Sequence, residues 1–136
     1  MNDTWEYDDF TIEEMQCKGF AKGLCTCGGV LPRDSFMKLL QKARILAGFP
    51  FPISSGGRCK DYNKIIGSTS VAHTLGAADI KVFGERAYAL VRIACELKFP
   101  GIGVHQKTTT PSNQRYIHLD NLTSFEGAPR PRIWSY

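Results

Sequence analysis

The chain has 136 residues, 43% of them hydrophobic and 22% charged, a length and balance that give one core of ordinary size and exclude a disordered or fibrous chain. Its net charge of +4 is not gathered into the basic stripe of a nucleic-acid groove reader. No run approaches the ~20 apolar residues of a membrane span, and the acidic, polar stretch from Met1 to Phe10 is unlike an export signal. Five cysteines with no such signal are expected to be reduced thiols.

Thr11 and Glu14 stand in the S/T-x-x-E relation that opens a short helix. Residues 17–32 are glycine-rich and predict a loop. From Asp34 the period changes: Phe36, Leu39, Leu40, Ala43 and Leu46 predict a helix with Asp34 as N-cap and Gly48 as its stop. Phe49-Pro50-Phe51-Pro52 forces an extended chain into Ile53 and Ser54. Residues 60–66 can form one or two helical turns, and residues 77–83 predict a short strand. After Gly84, Ala87, Leu90, Val91, Ala94 and Leu97 share one face of a second helix, which Phe99-Pro100-Gly101 ends. Residues 102–105 and 115–119 predict a hairpin with a mobile polar tip at residues 107–113. This order gives an α+β fold, a small antiparallel sheet flanked by helices, in a single domain spanning residues 1–136.

The three histidines, His73, His105 and His118, all lie in the second half. In Ser70-Val71-Ala72-His73-Thr74-Leu75-Gly76-Ala77-Ala78-Asp79-Ile80 a glycine turn can bring an imidazole and a carboxylate to one point. Strand alternation puts Tyr116, His118 and Asp120 on one face, with Ile117 and Leu119 facing the core. Two His and one Asp make a three-ligand set with an open fourth position, the arrangement of catalytic zinc, where a bound water ionises near neutral pH. Histidines this far apart in a small domain are also commonly ordinary hydrogen-bonded residues, so spacing leaves both possibilities standing.

Four motifs in order carry a resemblance: Ser54-Ser55-Gly56-Gly57-Arg58-Cys59 through Tyr62-Asn63, then Ala72 to Ile80, then Gly101-Ile102-Gly103-Val104, then Ile117-His118-Leu119-Asp120. From about Phe10 to Asp120 the chain resembles the zinc D-Ala-D-Ala carboxypeptidases, a family that includes phage cell-wall endolysins and shares its fold with the hedgehog signalling domain. The resemblance implies Zn2+ held by His73, Asp79 and His118. It also implies that Arg58 binds substrate and stabilises the oxyanion; an Arg58 salt-bridged across the following helix is the structural alternative. Ser70 stands on the substrate side, and Ser54, Ser55 and Asn63 shape the turn.

Two departures from the family bear on the site. Between His73 and Asp79 the chain has one residue fewer than the pattern S-x-H-x-x-G-x-A-x-D, and its serine stands one place early, at Ser70. The acid that many relatives carry three positions before the third ligand is here Arg115, which cannot serve as a base. Asp120 is then expected to move the proton, with His105 as the other candidate. Alternatively Asp120 holds His118 by its second ring nitrogen.

Cys17, Cys25 and Cys27 invite a structural-zinc reading, but C-x7-C-x-C matches no common finger and no fourth ligand lies nearby in the chain, so partly buried thiols are expected. Cys59 and Cys95 have the look of small apolar residues, and Trp5, Trp134 and Tyr136 of packing residues. The function implied is hydrolysis of peptide bonds next to D-amino acids in cell-wall peptidoglycan. The expected setting is a monomeric phage-type lysin made in the host cytoplasm, with a peptidoglycan peptide as its partner and neither nucleic acid nor membrane insertion. Two rivals are a non-catalytic wall- or protein-binding module on the same fold and an intracellular dipeptidase.

Overall fold

The computed structural model describes residues 5–107 and 115–136. The expected hairpin tip falls largely outside them. The chain opens with two one-turn helices, α1 (Ile12–Met15) and α2 (Lys18–Ala21), and the capping box of Thr11 and Glu14 closes on α1 as its residues dictate. Then come α3 (Asp34–Ala47), β1 (Ile53–Ser55), α4 (Lys60–Ile65), α5 (Ala72–Leu75), β2 (Ala77–Ile80), α6 (Gly84–Glu96), β3 (Gly101–His105), β4 (Tyr116–Asp120) and β5 (Arg132–Ser135). Helix α3 is capped by Arg33 rather than Asp34, which lies in the first turn, where a carboxylate suits the helix dipole. Gly48 ends it in the left-handed conformation at φ 73°.

The five strands lie in the order β1-β2-β4-β3-β5. The first three pairings are antiparallel, but β5 runs parallel to β3, so the sheet is mixed rather than antiparallel throughout. The reason is local. Asp120 at the end of β4 pairs with Gly101 at the start of β3, so the chain leaving β4 is already at the end of β3 where a parallel neighbour begins. Strand β2 is shorter than its sequence pattern, ending at Ile80, although the Lys81 N–H still donates to the Pro52 carbonyl.

The sheet has one dry face. Ala78, Ile80, Ile102, Ile117 and Leu119 meet Phe36, Met37 and Leu40 of α3 and Leu90 and Ala94 of α6 in a single core cluster. Burying each large side chain contributes roughly 1.5–3 kcal/mol, which fixes strand register, because a one-residue slip would turn these side chains outward. The opposite face therefore carries the alternate residues: Asp79 on β2, then Tyr116, His118 and Asp120 on β4. Among the described residues no helix is long and apolar enough to cross a membrane.

Candidate metal centre

In the antiparallel pairing of β2 with β4, Asp79 lies directly opposite His118. This places Asp79 Oδ1 3.0 Å from His118 Nδ1. His73 arrives from the single turn of α5, and its Nε2 lies 3.3 Å from the same carboxylate oxygen. The shorter spacing between His73 and Asp79 thus still brings both to one point: Gly76 ends α5 in extended backbone and feeds straight into β2.

Each imidazole is held by its other nitrogen. His73 Nδ1 donates to the Gly56 carbonyl oxygen at 2.7 Å, and His118 Nε2 donates to Asp120 Oδ2 at 2.8 Å. These partners fix the orientation of the two rings and leave His73 Nε2 and His118 Nδ1 as the nitrogens that face Asp79. Burial opposes ionisation of Asp79, but the facing His73 and His118 rings hold its carboxyl well below the usual carboxylate range. Burial likewise disfavours a charged His118, and the Asp120 and Asp79 carboxylates overcome it and raise its pKa.

This donor set fits a metal. Ligands about 2.1 Å from a tetrahedral zinc are about 3.4 Å from one another, and all three donor atoms lie within 4.8 Å of one another, with two of the separations at 3.0 and 3.3 Å. Three donors leave the fourth position facing a cavity of about 440 Å³. Asp79 is the one carboxylate among the described residues lining it, against Arg58, Arg130 and Arg132.

Asp120 is not in the cavity wall. It is 0% exposed, and both oxygens are engaged: Oδ1 accepts from Arg130 Nε and the Leu122 N–H, and Oδ2 from Arg130 Nη2 and His118 Nε2. Its place is behind His118, on the far side of the ring from Asp79. This is the place that the positioning alternative gives Asp120, at the second ring nitrogen of His118. His105 is also outside the cavity wall; its ring stacks on Tyr116 with centroids 4.8 Å apart and lies 5.4 Å from the Tyr136 ring, so it meets the site through these two phenols. Arg115 places its guanidinium over the Phe83 ring.

Arg58 lines the cavity and forms no ion pair among the described residues. Its Nη1 donates to Asn63 Oδ1 at 3.0 Å, while its buried Nε has no hydrogen-bond partner among the described residues. Burial lowers its pKa and the Asp79 charge works the other way. Ser70 lies at the cavity edge, its carbonyl accepting from Asn63 Nδ2 and its hydroxyl from the Ala72 N–H.

Strand β5 and the residues flanking it add side chains that the sequence pattern did not bring forward. Trp134 lies over His118 with ring centroids 5.2 Å apart, Arg130 grips Asp120, and Tyr136 joins Tyr116 in the wall. Trp134 is therefore a site residue as well as a packing one. The alternation Arg130, Arg132, Trp134, Tyr136 was the available signal. Gly101 and Gly103 make the arrangement possible, because a Cβ on the first would collide with the Asp120 carboxylate and on the second with the Trp134 indole.

No curated protein matches the chain. Residues 8–120, a span that holds His73, Asp79, His118 and Asp120 but stops short of β5, match the model of the Peptidase M15 family. With that match over most of its length, the chain belongs to Peptidase M15, a family of zinc D-Ala-D-Ala carboxypeptidase-like metallopeptidases.

Proposed function

We propose that this protein is a zinc peptidase of bacterial cell-wall peptidoglycan, cutting a stem-peptide or cross-link bond next to a D-amino acid. The observation that carries the reading is the convergence of His73 Nε2, Asp79 Oδ1 and His118 Nδ1 on the floor of a cavity walled by three guanidinium groups. A zinc ion held by these three side chains would supply Lewis-acid polarisation of the scissile carbonyl and activate water at neutral pH.

The remaining work belongs to the chain itself. Arg58, tied to Asn63, holds a fixed guanidinium toward the cavity and donates to a substrate carboxylate or to the oxyanion as it develops. Burial raises the Tyr116 pKa, so its hydroxyl stays protonated and can donate to a substrate oxygen. Asp120 and Arg130 keep the His118 ring in one tautomer and one orientation. Trp134 supplies an apolar wall beside this ring. A peptide with a carboxylate near the scissile bond, as in peptidoglycan stems, suits such a cationic, half-apolar cavity. In this reading the protein acts on the wall as a monomeric phage-type lysin.

Asp79 as the one carboxylate among the described cavity residues favours a second reading, a module that keeps the metal and binds wall peptides without cutting them. Zinc-loaded protein incubated with purified cross-linked wall, followed by mass spectrometry of released fragments, distinguishes the two. New termini next to D-amino acids, absent with Arg58→Ala or His118→Ala, support the peptidase. Wall binding with full zinc content and no released fragments supports the module. Cleavage of free dipeptide in preference to wall points to the dipeptidase.

A further inference from the structure

Outside the catalytic cavity, the fold gathers four of the five cysteines. Cys17, Cys25 and Cys27 lie in the glycine-rich N-terminal loop, and Cys59 precedes α4, 32 positions after Cys27. All four sulfurs lie within 4.8 Å of one another. The cysteines are partly buried, as expected, with Cys17 fully so; the fourth thiol, absent from the nearby chain, is supplied by tertiary folding.

We propose that Cys17, Cys25, Cys27 and Cys59 hold a structural zinc ion, a second metal that clamps the N-terminal loop to the turn carrying Arg58. Four thiolates about 2.3 Å from a tetrahedral zinc are about 3.8 Å from one another. The Cys17–Cys25 and Cys25–Cys27 sulfur separations are 3.9 and 3.6 Å, on either side of that value.

The backbone is arranged around the sulfurs as thiolates require. Cys27 Sγ accepts from the Gly29 and Val30 N–H groups at 3.4 and 3.5 Å, Cys59 Sγ from the Tyr62 N–H at 3.3 Å, and Cys17 Sγ from the Cys59 N–H at 3.5 Å. Such bonds offset the negative charge that four thiolates bring to one metal. Four protein donors complete a tetrahedron and leave no open position, the mark of a structural site.

The loop has a physical need for such a clamp. Phe20 and Leu24 are 42% and 49% exposed, and α2 is a single turn, so residues 17–29 bring little apolar surface to the core. On the other side of the cluster, Cys59 adjoins Arg58, whose N–H donates to the His73 carbonyl, and Gly57 donates to the Met15 carbonyl. A metal here fixes the backbone from which Arg58 and His73 reach the cavity.

The test is metal content and cobalt spectroscopy of the full chain, purified reduced and without chelator, as wild type, His118→Ala, Cys59→Ser and Cys95→Ser. The expected result is about two zinc ions per chain in wild type and Cys95→Ser, and about one in His118→Ala and in Cys59→Ser. Cobalt-loaded His118→Ala, with every cysteine intact, should show intense thiolate-to-cobalt charge-transfer absorption and tetrahedral d–d bands. That measurement stands even if Cys59→Ser fails to fold. One zinc in wild type and none in His118→Ala, without the thiolate bands, overturns the clamp while leaving the catalytic site intact. One zinc in wild type and the same one in His118→Ala, with the bands present, upholds the clamp and sinks the catalytic assignment. A mass deficit from a disulfide among these four cysteines in protein kept reduced also overturns it.

Discussion

Two clusters of donor side chains meet on either side of residues 56–59, and they are assembled in opposite ways. The Gly56 carbonyl holds His73 of the first cluster, and Cys59 belongs to the second. The His/Asp cluster has three donors, two of them placed by strand pairing, and opens onto a cavity. The thiol cluster has four donors, all from loops or a loop-helix junction, with Cys17 at 0% exposure. Donor number and openness decide what each can do: three rigidly placed donors leave room for a substrate, while four close a tetrahedron and can only fasten the chain.

His118→Ala breaks the comparison most severely. Removing one of three donors disables the candidate metal centre, so the proposed wall hydrolysis should fall at least ~10³-fold, about 4 kcal/mol of transition-state stabilisation. The melting temperature, followed by circular dichroism, should change little by comparison, since the thiol cluster and the core remain. Equal losses of both would show the two clusters to be one unit.

Asp120→Asn separates a positioning carboxylate from a proton-moving one. Zinc affinity, measured by chelator competition, should weaken about 10–100-fold, while kcat at saturating zinc and the shape of its pH profile stay close to wild type. Loss of one limb of that profile would return Asp120 to the proton-moving role. Gly101→Ala reaches the same residue through the backbone: the added methyl collides with the carboxylate, and overpacking of this kind costs about 1–3 kcal/mol. Urea denaturation should read that loss, together with a weaker zinc site.

The smallest expected effect lies in the cavity wall. Arg33 donates to both oxygens of Glu126, bracing the loop that carries Gly127 and Ala128. The hydrogen bond from Arg33 lowers the Glu126 pKa from 4.5 to about 2. Because the folded pKa is depressed, the contribution is present above about 4.5 and fades as pH falls toward 2. Glu126→Gln should therefore melt slightly below wild type at neutral pH, with the gap closing between those limits. A gap constant with pH would place the effect in packing.

Much of the site was legible in the sequence because it is built from short-range order. Alternation in β4 put His118 and Asp120 on one face, and Gly76 marked the turn that joins His73 to Asp79. The residues that escaped are those whose neighbours come from far along the chain. Arg130 and Trp134 matter because β5 pairs with β3, and Cys59 because its turn folds against the N-terminal loop. Even the roles of Asp120 and His105 needed the third dimension: alternation assigns a face, but not which side of an imidazole a carboxylate occupies.

The sequence by itself determined α1, α3, α4 and α6, the core face of β4 and the three candidate ligands, since periodicity, capping and turn chemistry act over a few residues. The tertiary structure alone decided the parallel β5, the carboxylate behind His118 and the gathering of four thiols. Each of these depends on contacts between distant segments, which burial of a shared core selects and no local pattern encodes.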